Sequence, residues 1–264
     1  MKSSSDLFDL TGRIALVTGA SRGLGQYLAR ALAGAGANLA ITSRSVERLE
    51  AFVQEIRSMG RNVFAVELDV RDYDSIQSAV TKVFDRFGRI DILVNNAGCN
   101  VRRRAVDVTW EDWNLVLDTN LRGPFFVAQA VARTAMIPQR YGRVINIGSV
   151  TCVAGYAGLG PYCASRGGIK QLTMSLADDW GVYGITVNCL APGWFKTAQT
   201  AVLYENEEWV KYLCDRIPLK RPGRPNDLDG AVVFLASDAC EYRTGQTLVV
   251  AGGRSTGAPR AAGG

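Results

Sequence analysis

The segment "RIALVTGASRGLGQYLARALAGAGA", Arg13–Ala37, decides the fold. It opens with an apolar run of strand length and ends with apolar residues at helical spacing that close on glycines. Between the two lie Gly19, Gly23 and Gly25, in the spacing G-x-x-x-G-x-G. Glycines at such a junction allow a tight turn. They also let a pyrophosphate approach the backbone at a helix N-terminus, where free N–H groups and the helix dipole favour an anion. A strand, a glycine loop and a helix in that order imply a dinucleotide site, although the spacing is not the G-x-G-x-x-G of many dinucleotide folds.

The rest of the chain repeats this alternation. Short Val/Ile/Leu runs at 38–43, 61–70, 89–98, 142–149, 184–192 and 247–252 read as strands. Amphipathic stretches at 45–60, 72–88, 109–135, 161–180 and 226–237 read as helices. Continuous apolar strands alternating with helices predict an α/β fold: a single doubly wound parallel β-sheet of the Rossmann type with helices on both faces. No linker or repeat divides residues 1–264, so one domain is expected. Residues 193–225 read as a mobile substrate-loop insertion, and 254–264, ending "GAPRAAGG", as a flexible tail.

Composition narrows the chemistry. The chain has 47% hydrophobic and 21% charged residues and a net charge of +5, which suits an anionic small ligand. The basic residues are dispersed, which argues against nucleic acid. The opening "MKSSSDLFDL" has no apolar core, no run approaches membrane-span length, and six cysteines lie scattered without a C-x-x-C pair. A cytoplasmic protein with reduced thiols and no membrane partner is the expectation. The sequence contains no histidine. Ser-His-Asp catalysis and His-based metal sites are thereby excluded, no metal site is expected, and any acid–base group must be Tyr, Lys, Asp, Glu or Cys.

Charge also bears on the choice of nucleotide. A carboxylate after the second strand would bind the ribose 2′-hydroxyl of NAD, whereas an arginine would pair with a 2′-phosphate. Here the strand ends "ITSRS", with Ser43 and Arg44, and Arg22 inside the glycine loop adds a second guanidinium. NADP(H) is therefore the expected cofactor, with NAD(H) a possible substitute.

With "TGASRGLG" (18–25), "NNAG" (95–98), Asn120, Ser149 and Tyr162 assembled, the chain resembles the short-chain dehydrogenase/reductase family from about Leu10 to Gly253. The resemblance extends to "LDV" (68–70) and "APGW…T" (191–197). It implies a cofactor site formed by Gly19, Ser21, Arg22, Gly23, Leu24, Gly25, Ser43, Arg44, Asp69, Val70, Asn96, Ala97, Gly98, Tyr162, Arg166, Pro192, Gly193 and Thr197. It further implies catalysis by Asn, Ser, Tyr and a Lys four residues after the Tyr. Asn120, Ser149 and Tyr162 match that pattern; Arg166 stands where the family has lysine.

Ketone reduction needs a hydride from a nicotinamide and a proton for the developing alkoxide. Ser149 is expected to hydrogen-bond the carbonyl and Tyr162 to give or take the proton. An ordinary phenol ionises near pH 10, so a nearby cation is required. A unit charge about 4 Å away at an effective dielectric of 20 contributes roughly 4 kcal/mol before compensation. Arg166 supplies that charge but lacks the compact, deprotonatable ammonium that a relay would use. Alternatively, Tyr162 and Arg166 are only a helix-surface pair one turn apart. The resemblance suggests that Asn120 kinks its helix and holds a water beside the cation.

For the substrate, "NVRRRA" (100–105) follows a strand at the ligand-binding end of the sheet. Arg102 and Arg104 are candidate carboxylate ligands, beside Ser149 and Trp194. The segment is similar to that of gluconate 5-dehydrogenases, which implies a sugar acid such as 5-oxogluconate or gluconate. A 3-oxoacyl-thioester or other ketone is the alternative substrate, and an NADP-binding sensor or scaffold the alternative class. Trp194, Phe195, Tyr204 and Trp209 are expected to wall the pocket. The resemblance implies a homotetramer, or a dimer because Ala251 replaces an acid in a contact region.

Overall fold

The computed structural model describes residues 3, 6–197 and 201–255, apart from the side chain of Leu203. Residues 198–200 of the insertion and 256–264 of the expected tail lie outside the described residues. Seven strands form one sheet: β1 Ile14–Val17, β2 Asn38–Ser43, β3 Val63–Glu67, β4 Ile92–Asn95, β5 Gly142–Ile147, β6 Ile185–Pro192 and β7 Thr247–Val250. Their order is β3-β2-β1-β4-β5-β6-β7, and every pairing is parallel.

Alternate residues of each strand face opposite layers. Ala15, Val17, Ile92 and Val94 pack with Leu28 and Leu32 of helix α1 (Leu24–Gly34), Phe52 and Ile56 of α2 (Glu50–Ser58), and nearby buried residues. Leu16, Leu93, Val144 and Val187 pack on the other face against Ile76 and Val80 of α3 (Tyr73–Phe87). Both faces are covered, and the strand order reverses between β1 and β4. In such sheets the ligand crevice opens outside the carboxyl ends of the strands at that reversal.

The expected helix over 109–135 is one long rod with two defects. It runs through α4 (Trp110–Leu117), a π turn (Asp118–Arg122), α5 (Gly123–Val131), a second π turn (Ala132–Met136) and α6 (Ile137–Gln139). The long helix α7 spans Gly160–Gly181. The 193–225 insertion is more ordered than its composition suggests. It carries a 3-10 turn (Ala201–Glu205) and helix α8 (Glu207–Asp215), capped by Asn206, whose Oδ1 accepts from the Trp209 N–H at 2.9 Å. Helix α9 (Asp229–Ala236) completes the layer beside α1.

Opposite the crevice, the sheet is pinned by a buried carboxylate. Asp91 Oδ2 accepts from the Ile14 N–H and Arg89 Nε, both at 2.9 Å, and Oδ1 from Arg89 Nη2 at 2.6 Å. Arg13 lies 3.6 Å away on the same carboxylate.

Candidate active site

A cavity of about 640 Å³ opens at the carboxyl ends of the strands. All eighteen expected cofactor residues line it, from Gly19 to Thr197, together with Ser149, Arg102 and Trp194. Of the expected site and wall residues, Asn120, Arg104, Tyr204 and Trp209 do not.

Two loops form the nucleotide end and are latched together. Thr18 Oγ1 accepts from the N–H groups of Asn96 and Ala97 at 3.0 Å, while Asn96 Nδ2 donates to the carbonyls of Thr18 at 2.9 Å and Gly19 at 3.1 Å. Gly19 has φ +65°, and a Cβ there would lie 2.8 Å from Ala97 Cα. Only glycine fits at both conditions. Gly23 is the N-cap of α1 and lines the cavity with Leu24 and Gly25, which brings the start of that helix to the cavity mouth.

The cationic rim is larger than the sequence reading foresaw. Arg22 and Arg44 are exposed and line the cavity, as does Arg48 from the 3-10 turn Val46–Leu49. Arg48 falls four residues beyond Arg44, a spacing that could have flagged it. Asp69 is held by Arg71, which donates from Nη2 at 2.7 Å and Nε at 3.1 Å. That guanidinium holds the Asp69 carboxyl below its ordinary range.

At the inner end, the geometry rules out the surface-pair reading of Tyr162 and Arg166. Arg166 is only 5% exposed, its Cζ lies 5.0 Å from the centre of the Tyr162 ring, and Nη1 donates to the Ile147 carbonyl at 2.7 Å. A Cβ on Gly98 would lie 2.6 Å from Arg166 Nη2, so that glycine leaves the seat for the guanidinium. Arg166 Nε has no hydrogen-bond partner among the described residues. Ser149, at the end of β5, accepts from the Thr151 N–H at 3.2 Å and lines the cavity with Tyr162.

Asn120 is fully buried in the first π turn. Its Oδ1 accepts from the Cys99 N–H at 2.8 Å, and Nδ2 donates to the Cys99 carbonyl at 2.9 Å and to Ser165 Oγ at 3.2 Å. Both amide protons are spent on the protein. Its amide thereby ties the π turn to the chain beside Gly98, behind the cavity lining. Beneath Ser149, Cys152 Sγ accepts from the Ser149 N–H at 3.4 Å. The Cys189 thiol and that N–H hold the Cys152 thiol below its usual range.

The arginine run divides. Arg103 pairs with Asp112 at 2.8 Å, and Arg104 pairs with Asp107 at 2.6 Å while pointing to solvent. Arg104 is thus corrected from substrate ligand to a local ion pair, because Asp107 lies three residues on and satisfies it. Arg102 alone of the three lines the cavity, and among the described residues no ion pair holds it. Trp194 also lines the wall; Trp209 and Tyr204 brace it from behind in edge-to-face contacts of 5.3 and 5.4 Å. Tyr156, which the sequence reading did not single out, lines the cavity and meets Trp194 edge-on at 6.3 Å.

Among the described residues no group of three or more Cys, Asp and Glu side chains could hold a metal, and no helix is long and apolar enough to cross a membrane.

Comparison with known proteins gives the same picture. A family model described as enoyl-(acyl carrier protein) reductase matches residues 19–255. The chain is 42% identical to gluconate 5-dehydrogenase of Gluconobacter oxydans, covering 95% of this chain and 98% of that one. It is 40% identical to a 3-oxoacyl-acyl-carrier-protein reductase of Staphylococcus aureus, over 90% of this chain and 96% of that one. Among solved structures it superposes with a TM-score of 0.94 on a gluconate 5-dehydrogenase from Burkholderia cenocepacia in complex with NADP and tartrate. That pair is 39% identical and covers 97% of this chain and all of the other.

Proposed function

The chain belongs to the short-chain dehydrogenase/reductase family, and on that premise we propose that it is an NADP(H)-dependent oxidoreductase interconverting an oxo sugar acid and its hydroxy acid. The observation that carries this reading is Arg102. It lines the cavity that holds Ser149 and Tyr162, while Arg103 and Arg104 are engaged by Asp112 and Asp107. A guanidinium beside the reacting groups suits a substrate carboxylate.

The residues present fit the nicotinamide dinucleotide. The glycine loop and the first turn of α1 would hold the pyrophosphate, Asp69 and Val70 the adenine side, and Arg44, Arg22 and Arg48 the 2′-phosphate. The structures of gluconate 5-dehydrogenases with NADP support this choice. When bound, the cofactor supplies the hydride acceptor or donor. Ser149 then hydrogen-bonds the substrate oxygen, and Tyr162 delivers or removes its proton. Arg166, fixed against Ile147 and Gly98, keeps a permanent charge beside the phenol and would donate to the cofactor ribose. Its burial beside an intact Ser149 and Tyr162 argues against a decayed site kept as a sensor.

The second reading is a 3-oxoacyl-thioester reductase, favoured by the similarity to the Staphylococcus aureus enzyme. A panel of 5-oxogluconate and acetoacetyl thioester, each with NADPH and NADH, separates the two. Fastest turnover is expected for 5-oxogluconate with NADPH, and preference for the thioester would overturn the sugar-acid reading. We place the protein in the cytoplasm as a homotetramer, with dimer as the fallback. Light scattering that gives only the 28.5 kDa chain would refute the assembly.

A further inference from the structure

The turn that presents Ser149 is held from behind by a thiol. Ser149 follows β5 in extended backbone and caps the 3-10 turn Val150–Cys152. Its Oγ accepts from the Thr151 N–H at 3.2 Å, and its carbonyl accepts from the Cys152 N–H at 2.8 Å. Cys152 Sγ reaches back to accept from the Ser149 N–H at 3.4 Å, and its S–H donates to the Arg166 carbonyl at 3.1 Å. One sulfur is thus bonded to the backbone of two catalytic-centre residues on different elements. Arg166 lies one turn beyond Tyr162 on α7, so the same contact ties the Ser149 turn to the helix that carries the phenol.

The sulfur is packed in on every side that matters to Ser149. Cys152 is 9% exposed and packs with Ile169 of α7 and with Cys189 and Ala191 of β6. A Cβ on Gly148 would lie 2.7 Å from Cys152 Sγ and 2.6 Å from Cys189 Sγ, so both sulfurs rest against the chain directly before Ser149. The Gly148 N–H donates to the Leu190 carbonyl at 2.7 Å, which fixes that backbone on β6. Ser149 lines the cavity but Cys152 does not, so the thiol can act on the reaction only through its neighbours. Sulfur suits this place, being apolar enough for the cluster and still a weak donor and acceptor over long contacts.

We propose that Cys152 is a positioning residue of the catalytic centre: it sets the Ser149 turn against helix α7, so that Ser149 Oγ and the Tyr162 hydroxyl meet the same substrate oxygen. Catalytic groups must be held to within about 0.5 Å of their productive geometry, by packed and hydrogen-bonded neighbours that never touch the substrate. This rests on the oxidoreductase reading and holds for either of its two substrates. The effect falls on the chemical step, because substrate and cofactor are gripped by other groups.

The test compares Cys152→Ala with Cys152→Ser, which are alike in size and differ in hydrogen bonding. The substrate is whichever of 5-oxogluconate and acetoacetyl thioester the parent turns over faster with NADPH. Cys152→Ala is expected to lower kcat about three- to tenfold, the worth of one or two lost hydrogen bonds to an oriented group. KM and NADPH affinity should change less than about twofold, the pattern of an interaction that serves the transition state alone. Cys152→Ser keeps a donor and an acceptor at the same place and should stay within about twofold of the parent in kcat. Ile169→Val thins the same cluster without removing a hydrogen bond. It should lower the melting temperature and leave kcat within about twofold.

Equal kcat losses in the alanine and serine variants, or a loss from Ile169→Val as large as that from Cys152→Ala, would show that the sulfur is only packing and would overturn the positioning role. So would an alanine variant as active as the parent, or one whose loss appears in KM or NADPH affinity. All of these leave the oxidoreductase reading standing. A folded parent that turns over neither substrate with NADPH or NADH overturns that reading and the positioning role together.

Discussion

Replacing Arg166 tests the catalytic pair most directly. The guanidinium carbon is 5.0 Å from the centre of the Tyr162 ring and 5% of the residue is exposed, so little water screens it. At that separation and an effective dielectric of 20, a unit charge is worth about 3 kcal/mol. Tyr162 lines the cavity and is half-buried, so roughly half to all of this should reach the reaction. Arg166→Ala should then lower kcat/KM for alcohol oxidation by about ten- to a hundredfold. The oxidation direction should suffer more than reduction, because there the phenolate must act as the base. Arg166→Lys should keep or raise turnover, since it retains the charge and restores an ammonium able to relay a proton. Tyr162→Phe should abolish hydride transfer and leave NADPH binding nearly intact. The assay is nicotinamide absorbance in both directions, with cofactor affinity measured separately by fluorescence. If the alanine and lysine variants both match the parent in rate and pH profile, Arg166 is a packing residue and the electrostatic reasoning fails.

Three further outcomes follow from the geometry. Arg44→Asp should reverse the cofactor preference towards NADH, whereas Arg44→Ala should only weaken NADPH binding, by about tenfold, because Arg22 and Arg48 share the rim; equal affinities for both cofactors in the parent would refute the assignment. Arg102→Ala should raise KM for 5-oxogluconate about ten- to a hundredfold by loss of a charge-assisted contact, while Arg104→Ala, which breaks only the exposed pair with Asp107, should change it less than about twofold. Asp91→Asn should cost about 2–3 kcal/mol in urea unfolding, since Arg89 and Arg13 lose a fully buried partner; KM should not move, because Asp91 lies at the amino end of β4, opposite the crevice.

The fold was legible because parallel strands buried on both faces must read as unbroken Val/Ile/Leu runs, and here each run coincides with a strand. The lining of the cavity was legible because backbone approach demands glycine and a phosphate demands cations, and both demands survive in one dimension. Arg104 misled for the opposite reason. Which of three adjacent arginines enters a cavity depends on where Asp107 and Asp112 stand in space. Helix α8 carried Asn206 and two glutamates in its first turn, a start signal obscured by the glycine and proline around it. Tyr156 left no trace in the sequence. It is a lone aromatic in a glycine-rich loop, and only the fold puts it beside Trp194.

The two π turns in the long helix have a consequence for its phase. An α-helix advances about 100° per residue, and a π turn absorbs one residue without the matching advance. The run from Trp110 to Gln139 is therefore three helical segments with a slip at each joint. The first slip carries Asn120, turned towards Cys99, and it also sets the direction in which the exposed Trp110 and Trp113 point relative to the buried Val127 and Val131. Deleting one residue between Asp118 and Arg122 would let the helix rewind smoothly. The rewound helix would lose the clamp on the strand end beside Gly98, while the tryptophan face would keep its direction; the same sequence wound as a regular helix would instead turn that face by about a quarter turn. One local irregularity thus fixes both the interior of the catalytic centre and the orientation of a surface on the outside of the molecule.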